Sequence, residues 1–193
     1  MTYSQTMAAL TAKRAEIGKL RQEMRALQAA VEPQAVEDWE LTGWNGSVRL
    51  SGLFGGKEHL ILIHNMGRSC SSCTMWADGY NGLYDHLASR VGFVVSSPDT
   101  VEVQRAFSAG RGWRFPMVSH AGTDFAAKMG YREPGAAGGG WWPGISTFRM
   151  AGGQVMRLSD TQLGPMDDFN PFYHLMELSP GGDANFTPKF SYG

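Results

Sequence analysis

The sequence predicts an α/β fold in which a central mixed, mostly parallel sheet is flanked by helices, with an extra helix at the N-terminus. Short apolar runs typical of buried strands alternate along the chain with longer stretches that have helical spacing. A hairpin pattern near the C-terminus adds antiparallel strands to the sheet. The 193 residues, 42% of them hydrophobic, are enough to build one substantial core.

The chain opens with a predicted amphipathic helix over residues 6–31. Its apolar positions recur at three- and four-residue steps between charged and amide side chains: Leu10, Ile17, Leu20, Met24, Leu27 and Val31. Pro33 ends the pattern. The stripe covers about three to four heptads, so it fits a helix packed on its own domain and equally a contact between two copies of the chain. Residues 1–34 are therefore assigned to this helix and residues 35–193 to a separate domain.

Short strands and helices alternate along that domain. A first hairpin is predicted over residues 39–54, with its turn at Asn45-Gly46. Apolar runs that predict buried strands cover residues 60–64, 91–96 and 115–119. Helical spacing is found over residues 70–87, 98–109 and 123–129. A second hairpin and a last helix are predicted over residues 145–158 and 166–178.

Both cysteines of the chain lie at the start of one predicted helix. Cys70 and Cys73 are separated by Ser71 and Ser72 and closely follow a buried strand. A helix N-terminus offers free backbone N–H groups and the positive end of the helix dipole, so a thiol placed there ionises readily. We therefore expect Cys70 to be the exposed nucleophile and Cys73, one turn further in, to be the resolving thiol. The two serines could donate hydrogen bonds to the sulfur, and Arg68 would favour the thiolate if it points toward it.

Four further residues are candidates for supporting the thiol pair. His64 ends the preceding strand and could tune the pair by hydrogen bonding, and His120 follows the third strand at the sheet edge where such sites gather. Trp76 belongs to the inward stripe of the cysteine helix. Asp78, further along that helix, could assist proton transfer to Cys73 or form a local salt bridge.

A C-x-x-C pair also fits other roles. A structural zinc site usually needs four ligands, and the chain has neither a second C-x-x-C nor an H-x-x-x-H pair, which leaves His64, His86 and His120 as candidate ligands. The two cysteines could also be buried and inert. Their position between a strand and a helix favours a redox pair over both alternatives.

A buried strand, a C-x-x-C that opens a helix, and a late hairpin and helix are together typical of the thioredoxin fold, so residues 35–193 are predicted to be thioredoxin-like. The chain resembles the thioredoxin-like family grouped as domain of unknown function 899. The residues that carry the strongest likeness are Cys70, Cys73, Trp76, Ala77, Asp78, Tyr80, Asn81 and Gly82. Residues 112–119 and 143–148 are also similar to segments of that family. The resemblance covers nearly the whole chain and implies a thioredoxin-like fold and a thiol site without a settled substrate.

The chain differs from that family at one position of the cysteine motif. Members usually have proline after the first cysteine, where this chain has Ser71. Because the residue between the cysteines influences the reduction potential, the direction of the redox reaction stays open. The segment Phe115-Pro116-Met117-Val118-Ser119 is similar to the peroxiredoxin branch of the same fold.

These observations predict a thiol–disulfide oxidoreductase or thiol-dependent peroxidase that needs no bound cofactor. Its partners would be a disulfide or peroxide substrate and an external thiol reductant. A homodimer formed through the N-terminal helix is a further hypothesis. The alternative functions are a module that binds copper or zinc and a non-catalytic interaction protein with a thioredoxin-like body.

Composition argues against two other classes of partner. A net charge of −1 offers no basic stripe for nucleic acid. The longest wholly apolar run, Leu60-Ile61-Leu62-Ile63, is far too short to cross a membrane. Two cysteines are too few for a disulfide-stapled scaffold, so we expect a cytoplasmic protein in which any disulfide is transient.

Overall fold

A computed structural model of the chain describes residues 1–136, 138–165, 167–182 and 186–193, and eight strands within these ranges form one sheet. The strands are β1 (Gln34–Val36), β2 (Glu40–Gly43), β3 (Gly46–Arg49), β4 (His59–His64), β5 (Gly92–Ser97), β6 (Met117–Ser119), β7 (Gly144–Ala151) and β8 (Gln154–Gln162). The helices in these ranges are α1 (Tyr3–Ala29), α2 (Ser71–Arg90), α3 (Val101–Arg111), α4 (Phe125–Lys128) and α5 (Pro171–Met176). The order across the sheet is β1-β8-β7-β4-β5-β6-β2-β3.

Parallel pairing is confined to the centre of the sheet. Strands β4, β5 and β6 run parallel because α2 and α3 cross over between them, and every other neighbouring pair is antiparallel. The predicted α/β fold, with a mixed sheet flanked by helices and an extra N-terminal helix, is confirmed. The expectation of a mostly parallel sheet is wrong, because both hairpins join the parallel strands directly: β7 pairs with β4, and β2 pairs with β6.

The central strands bury apolar side chains on both faces of the sheet. Every residue of β5 is buried, and neighbouring residues belong to different clusters, Val94 to one and Val95 to the other. Phe125 and Phe148 are among the largest side chains of the first cluster, and Trp76 of α2 belongs to the second. Packing on both faces fixes the C-terminal end of β4, from which the chain enters the cysteine segment.

Helix α1 is largely exposed. It begins with a capping box in which the Thr2 side chain accepts from the Gln5 N–H while the Gln5 side chain accepts from the Thr2 N–H. None of its residues is buried, and its apolar stripe is 40% exposed at Leu10 and 74% exposed at Leu27. The apolar stripe of α1 therefore does not pack on its own domain. Of the two alternatives that the sequence left open, a helix packed on its own domain is wrong. Within the described ranges no helix, α1 included, is both long and apolar enough to span a membrane.

The bounds of two elements differ clearly from the prediction. The second strand of the first hairpin ends at Arg49, and Leu50–Phe54 form a 3-10 helix with Leu50 and Phe54 buried. The last helix begins at Pro171 instead of residue 166, and Met166 itself lies outside the described residues. The carboxylate of Asp167 accepts hydrogen bonds from the backbone N–H groups of Gly164, Phe169 and Asn170. These hydrogen bonds hold the backbone before α5 in a loop.

Candidate functional site

The cysteine helix α2 begins close to the C-terminal end of β4. Cys70 is its N-cap residue, with an extended backbone, and the Cys73 backbone N–H donates to the Cys70 sulfur at 3.1 Å. Thr74 secures the same turn, because its N–H and its hydroxyl donate to the Cys70 carbonyl at 3.0 and 2.9 Å. Cys70 thus has the capping role that serine or aspartate usually has, with sulfur as the acceptor.

The two thiols have opposite acidities. The pKa of Cys70 is lowered to about 7, chiefly because the Cys73 thiol donates a hydrogen bond to its sulfur and further because the backbone N–H groups of Cys73 and Ser72 do the same, while burial opposes the shift. The pKa of Cys73 is raised, first by this hydrogen bond and then by burial and the nearby Cys70 charge. At neutral pH the pair can therefore hold a thiolate at half-buried Cys70 and a protonated thiol at buried Cys73.

The loop between β4 and Cys70 is held by hydrogen bonds. Asn65 Oδ1 accepts from the Gly67 N–H at 2.8 Å, and Asp99 Oδ2 accepts from the Arg68 N–H at 2.7 Å. Gly67 has φ of +99°, and a Cβ there would meet Asp99 Oδ2 at 2.9 Å, so this position favours glycine. Arg68 lines a surface depression along α3, which is a different environment from the sulfur that it would have to face in order to favour the thiolate.

Cys70 lies at an open depression of about 420 Å³. The residues that line it are Met66, Ser69, Cys70, Ser71, Ser72, Gly140 and Trp141. Both predicted serines are therefore beside the nucleophile candidate, although the hydrogen bond from Ser72 to the sulfur comes from its backbone N–H and not from its hydroxyl. A small solute can approach the Cys70 sulfur from this side.

A separate cavity of about 190 Å³ lies beside Cys73. Its lining is mainly apolar and comprises Ile63, His64, Asn65, Met66, Ser72, Cys73, Trp76, Pro143, Leu163, Gly164 and Pro165. Met66 and Ser72 also line the Cys70 depression, so they form the boundary between the two spaces. Met66 and Leu163 were missed from the sequence, because the first lies in a loop and the second comes from the far end of the chain.

Trp76 forms one wall of this cavity and is fixed by a long-range hydrogen bond. Its Nε1 donates to Asp167 Oδ2 at 3.0 Å, and its ring packs against Tyr173 at a centroid distance of 5.9 Å. The Tyr80 hydroxyl is buried, and it has no hydrogen-bond partner among the described residues. Burial, followed by the charge of Asp167, raises the pKa of Tyr80, so this hydroxyl stays protonated beside the thiol pair.

Asp78 belongs to a local network. It forms a salt bridge with Arg111 of α3 and accepts a hydrogen bond from Trp113 Nε1 at 2.7 Å. These contacts correspond to the salt-bridge alternative for Asp78. They occupy both carboxylate oxygens, so the structure gives no support to proton transfer from Asp78 to Cys73.

His64 is buried beneath the cysteine segment. Its Nε2 lies 2.9 Å from Ser146 Oγ, and its ring stacks on Tyr131 with centroids 3.8 Å apart. Its Nδ1 has no partner among the described residues. Burial, with smaller contributions from His120 and Arg157, lowers the pKa of His64 well below its usual value, so the ring is neutral.

His120 is also buried and neutral, and it lies behind Trp141. The ring centroids of His120 and Trp141 are 5.1 Å apart, and the Arg132 guanidinium lies 4.5 Å from the Trp141 centroid on top of it. Burial, followed by the charge of Arg132, lowers the pKa of His120 to about 4. Neither ring nitrogen has a partner in the described part of the chain. Trp141 thus separates this ring from the Cys70 depression that it lines.

The candidate residues divide into three groups. Those at the two spaces beside the thiols are Cys70, Cys73, Ser71, Ser72, His64 and Trp76. His120 lies in a second layer, and Arg68 and Asp78 face α3. Among the described residues no three or more His, Cys, Asp or Glu side chains are grouped to hold a metal ion, so the copper or zinc alternative finds no ready ligand set there.

The fold and the family follow from comparison with known proteins. Peroxidoxin BcpB from Mycobacterium tuberculosis is similar, with a TM-score of 0.58 and 24% identity over 67% of this chain and 84% of that chain. The yeast mitochondrial 1-Cys peroxiredoxin has a TM-score of 0.57 and 11% identity over 77% and 75% of the two chains. Reduced Prx3 from Vibrio vulnificus in complex with H2O2 has a TM-score of 0.54 and 18% identity over 71% of this chain and 87% of that chain. The fold is therefore thioredoxin-like, of the kind found in peroxiredoxins.

The sequence of the chain also matches the model of a protein family. The model of the family described as "Bacterial protein of unknown function (DUF899)" matches residues 1–190. None of the curated proteins compared with the chain matches it.

Proposed function

The chain belongs to the bacterial family of unknown function DUF899, and we propose that it is a thiol-dependent peroxidase in which Cys70 attacks the peroxide and Cys73 resolves the product. The observation that carries the proposal is the opposite acidity of two hydrogen-bonded thiols at one helix N-terminus. Only the thiolate attacks a peroxide, so a Cys70 pKa of about 7 makes a large fraction of the nucleophile available at neutral pH.

The proposed reaction has three steps. The Cys70 thiolate attacks the terminal peroxide oxygen, so that an S–O bond forms, the O–O bond breaks, and the leaving oxygen takes up a proton as water or an alcohol. Cys73 then loses its proton and attacks the sulfenic sulfur of Cys70, forming the S–S bond and releasing water. Two thiols of an external reductant reduce this disulfide and are themselves oxidised to a disulfide.

Two observations support this reaction class. The open depression gives a solute access to Cys70, whereas Cys73 is buried one turn further along α2. The similar Vibrio vulnificus protein was determined in complex with hydrogen peroxide. Because the cycle starts from two free thiols, it requires a compartment that keeps thiols reduced, and the cytoplasm is such a compartment.

Thiol–disulfide exchange is the second candidate function. A thiolate with a neighbouring buried thiol is suited to attack a protein disulfide as well as a peroxide, and the mixed disulfide would be resolved by Cys73. The two candidates differ in substrate and share both cysteines.

The test compares hydrogen peroxide consumption and insulin reduction, each with a dithiol reductant, in the wild type, Cys70→Ser and Cys73→Ser. Cys70→Ser should lose activity completely. In a second assay without the reductant, Cys73→Ser should consume about one equivalent of peroxide and accumulate a sulfenic acid that a dimedone probe labels. Equal rates in all three proteins would refute both candidates, and activity toward insulin alone would favour the second.

A further inference from the structure

The cavity beside Cys73 points to a substrate class, and this inference rests on the proposed function. We propose that the cavity receives the apolar group of an organic hydroperoxide, while the peroxide oxygens extend past Met66 and Ser72 to Cys70. The preferred substrate is then a hydroperoxide on a compact hydrocarbon of about the size of a phenylpropyl group.

The lining of the cavity favours a hydrocarbon over water. Seven of its residues have apolar side chains: Ile63, Met66, Trp76, Pro143, Leu163, Pro165 and the thiol-bearing Cys73. A buried water molecule usually needs two to four polar partners, roughly three on average, and walls of this kind offer few. Transfer of an apolar group from water to such walls is favourable in proportion to the area that it buries.

The size of the cavity sets an upper limit on the group. An apolar cavity of about 150 Å³ can hold benzene. The cavity beside Cys73 measures about 190 Å³, which leaves space for a phenyl ring and a few further carbon atoms. A long fatty-acid chain would not fit within it.

The position of the cavity connects this group to the reaction. Met66 and Ser72 line both the cavity and the Cys70 depression, so one ligand can occupy both spaces. With the hydrocarbon against Cys73, the Cys70 thiolate attacks the terminal oxygen and becomes the sulfenic acid as the O–O bond breaks. The alkoxide takes a proton from water and leaves as the alcohol. Cys73 supplies its proton and its sulfur only in the following step, when the disulfide forms and water leaves.

One polar side chain at the cavity suits a peroxide or alcohol oxygen. His64 lines the cavity, is 2% exposed, and has an Nδ1 without a partner among the described residues. His64 shares this lining with the polar residues Asn65 and Ser72. A few neutral hydrogen-bonding groups in a mainly apolar wall are typical of sites that bind an apolar ligand with one polar atom.

The test compares kcat/KM for cumene hydroperoxide and hydrogen peroxide in the wild type, Gly164→Ile and Gly82→Ile. Gly164 lines the cavity, and a Cβ added there meets no atom of a described residue within 4 Å, so the described part of the chain leaves space for a side chain at this point of the cavity wall. Gly82 is an exposed glycine of α2 whose added Cβ also meets nothing within 4 Å, which makes it the matched control.

We expect wild-type kcat/KM to be at least about tenfold higher for cumene hydroperoxide than for hydrogen peroxide. Gly164→Ile should lower kcat/KM for cumene hydroperoxide by at least about tenfold and change kcat/KM for hydrogen peroxide by less than about twofold. Gly82→Ile should change neither. Equal wild-type values for the two peroxides, or an equal loss of both in Gly164→Ile, would overturn the inference.

A binding measurement separates the cavity from the catalysis. Calorimetric titration with 2-phenylpropan-2-ol, the alcohol product, should show binding to the wild type and Gly82→Ile and its loss in Gly164→Ile. Binding without any peroxide reduction would refute the proposed function and leave the cavity assignment supported. Peroxide reduction without binding of this alcohol would refute the cavity assignment alone.

A different observation, on α1, carries a second and independent inference. We infer that α1 pairs in parallel with α1 of a second copy of the chain. Its exposed apolar side chains follow a heptad pattern in which Leu10, Ile17 and Met24 are seven residues apart and Leu20 and Leu27 lie three residues after the last two. An exposed seam of this kind over about three heptads is the pattern of a two-stranded coiled coil.

The charges beside the seam select the parallel orientation. In this register Glu16 and Glu23 flank one side of the seam, and Arg14 and Arg21 flank the other. A parallel pair places Glu16 of one copy next to Arg21 of its partner, five residues further along, and the reverse pair forms by symmetry. An antiparallel pair would bring like charges together on both sides.

Charge reversal tests the partner and the orientation together. Sedimentation equilibrium should give a dimer for the wild type, weakened by about tenfold in Glu16→Arg and in Arg21→Glu, and restored when the two are combined. Because Arg21 also pairs with Asp168 of its own chain, Asp168→Asn is the control and should leave the dimer unchanged. A monomeric wild type, or a double variant no tighter than the single ones, would overturn the inference.

Discussion

The Cys73 backbone N–H donates a hydrogen bond to the Cys70 sulfur at 3.1 Å, and the contact of the Cys73 thiol with that sulfur is the largest cause of the lowered Cys70 pKa. Cys73 therefore lowers the pKa of the nucleophile and also lies in position to resolve its oxidation product. The same contact raises the pKa of Cys73, so the two acidities are set by one shared hydrogen bond.

Removing the thiol at position 73 should make Cys70 less acidic. In Cys73→Ala the Cys70 pKa should rise from about 7 toward its ordinary value of about 8.5, because the largest cause of the lowering is lost. Cys73→Ser is the matched control, since its hydroxyl can still donate, and its Cys70 pKa should rise less. The measurement is the ultraviolet absorbance of the thiolate as a function of pH. An unchanged pKa in Cys73→Ala would contradict this account.

The buried histidines should make the fold sensitive to acid. The pKa of His120 is lowered to about 4 in the folded state, so below its ordinary value of about 6.5 the unfolded chain binds a proton that the folded chain does not. The stabilisation is thus complete above pH 6.5 and is lost as the pH falls toward 4, on the order of 3 kcal/mol in all. His64 adds a loss of the same sign.

Urea unfolding at a series of pH values tests this prediction. His120→Leu should flatten the fall in the free energy of unfolding across that interval, whereas His86→Leu, at an exposed position of α2, should leave its slope unchanged. If the wild type and His120→Leu showed parallel pH profiles, the buried imidazole would not be the cause.

Close packing at Gly144 should make this position intolerant of a side chain. A Cβ there would overlap the Tyr131 ring and meet the Thr161 carbonyl oxygen at 2.7 Å, so Gly144→Ala should lower the free energy of unfolding by about 3 kcal/mol. Gly79→Ala provides the contrast, because its Cβ meets no atom of the described residues within 4 Å at an exposed position of α2, and it should stabilise the protein by roughly 1 kcal/mol. Thermal unfolding measures both, and a harmless Gly144→Ala would contradict the packing.

Asp78 should matter for stability and not for the thiols. Asp78→Asn breaks the ion pair with Arg111 and weakens the hydrogen bond from Trp113, so we expect a loss of about 1 kcal/mol in urea unfolding. Asp85→Asn, which removes an exposed ion pair with Arg114, should cost less than about 0.5 kcal/mol. A tenfold lower alkylation rate of Cys70 in Asp78→Asn would contradict this prediction and show that Asp78 affects the reactivity of the thiols.

The sequence predicted the parts of the site that depend on neighbouring residues. Cys70 and Cys73 belong to one helical turn that follows an apolar run after a short loop, so their acidities and relative burial could be anticipated from spacing alone. The environment of Arg68 could not be predicted, because it depends on how the loop before Cys70 packs against Asp99, which is 31 residues away along the chain.

The cavity and the pairing of the hairpins with the central strands were beyond local reasoning. The cavity is closed by Leu163 and by Trp76, whose position depends on a hydrogen bond to Asp167 spanning 91 residues. Strand β1 was missed because its three residues carry too little periodicity, and its pairing with β8 is a long-range contact. Such contacts are decided by the packing of the whole sheet and not by the composition of one segment.

The Cys70 sulfur is held by donors from the first turn of its own helix, at hydrogen-bonding distance. A thiolate that owed its ionisation to a lysine or arginine would lose part of that support as dissolved ions gather around both charges. Ions cannot enter between a sulfur and the amides that cap it. A nucleophile built in this way should keep its reactivity from dilute to strongly saline surroundings.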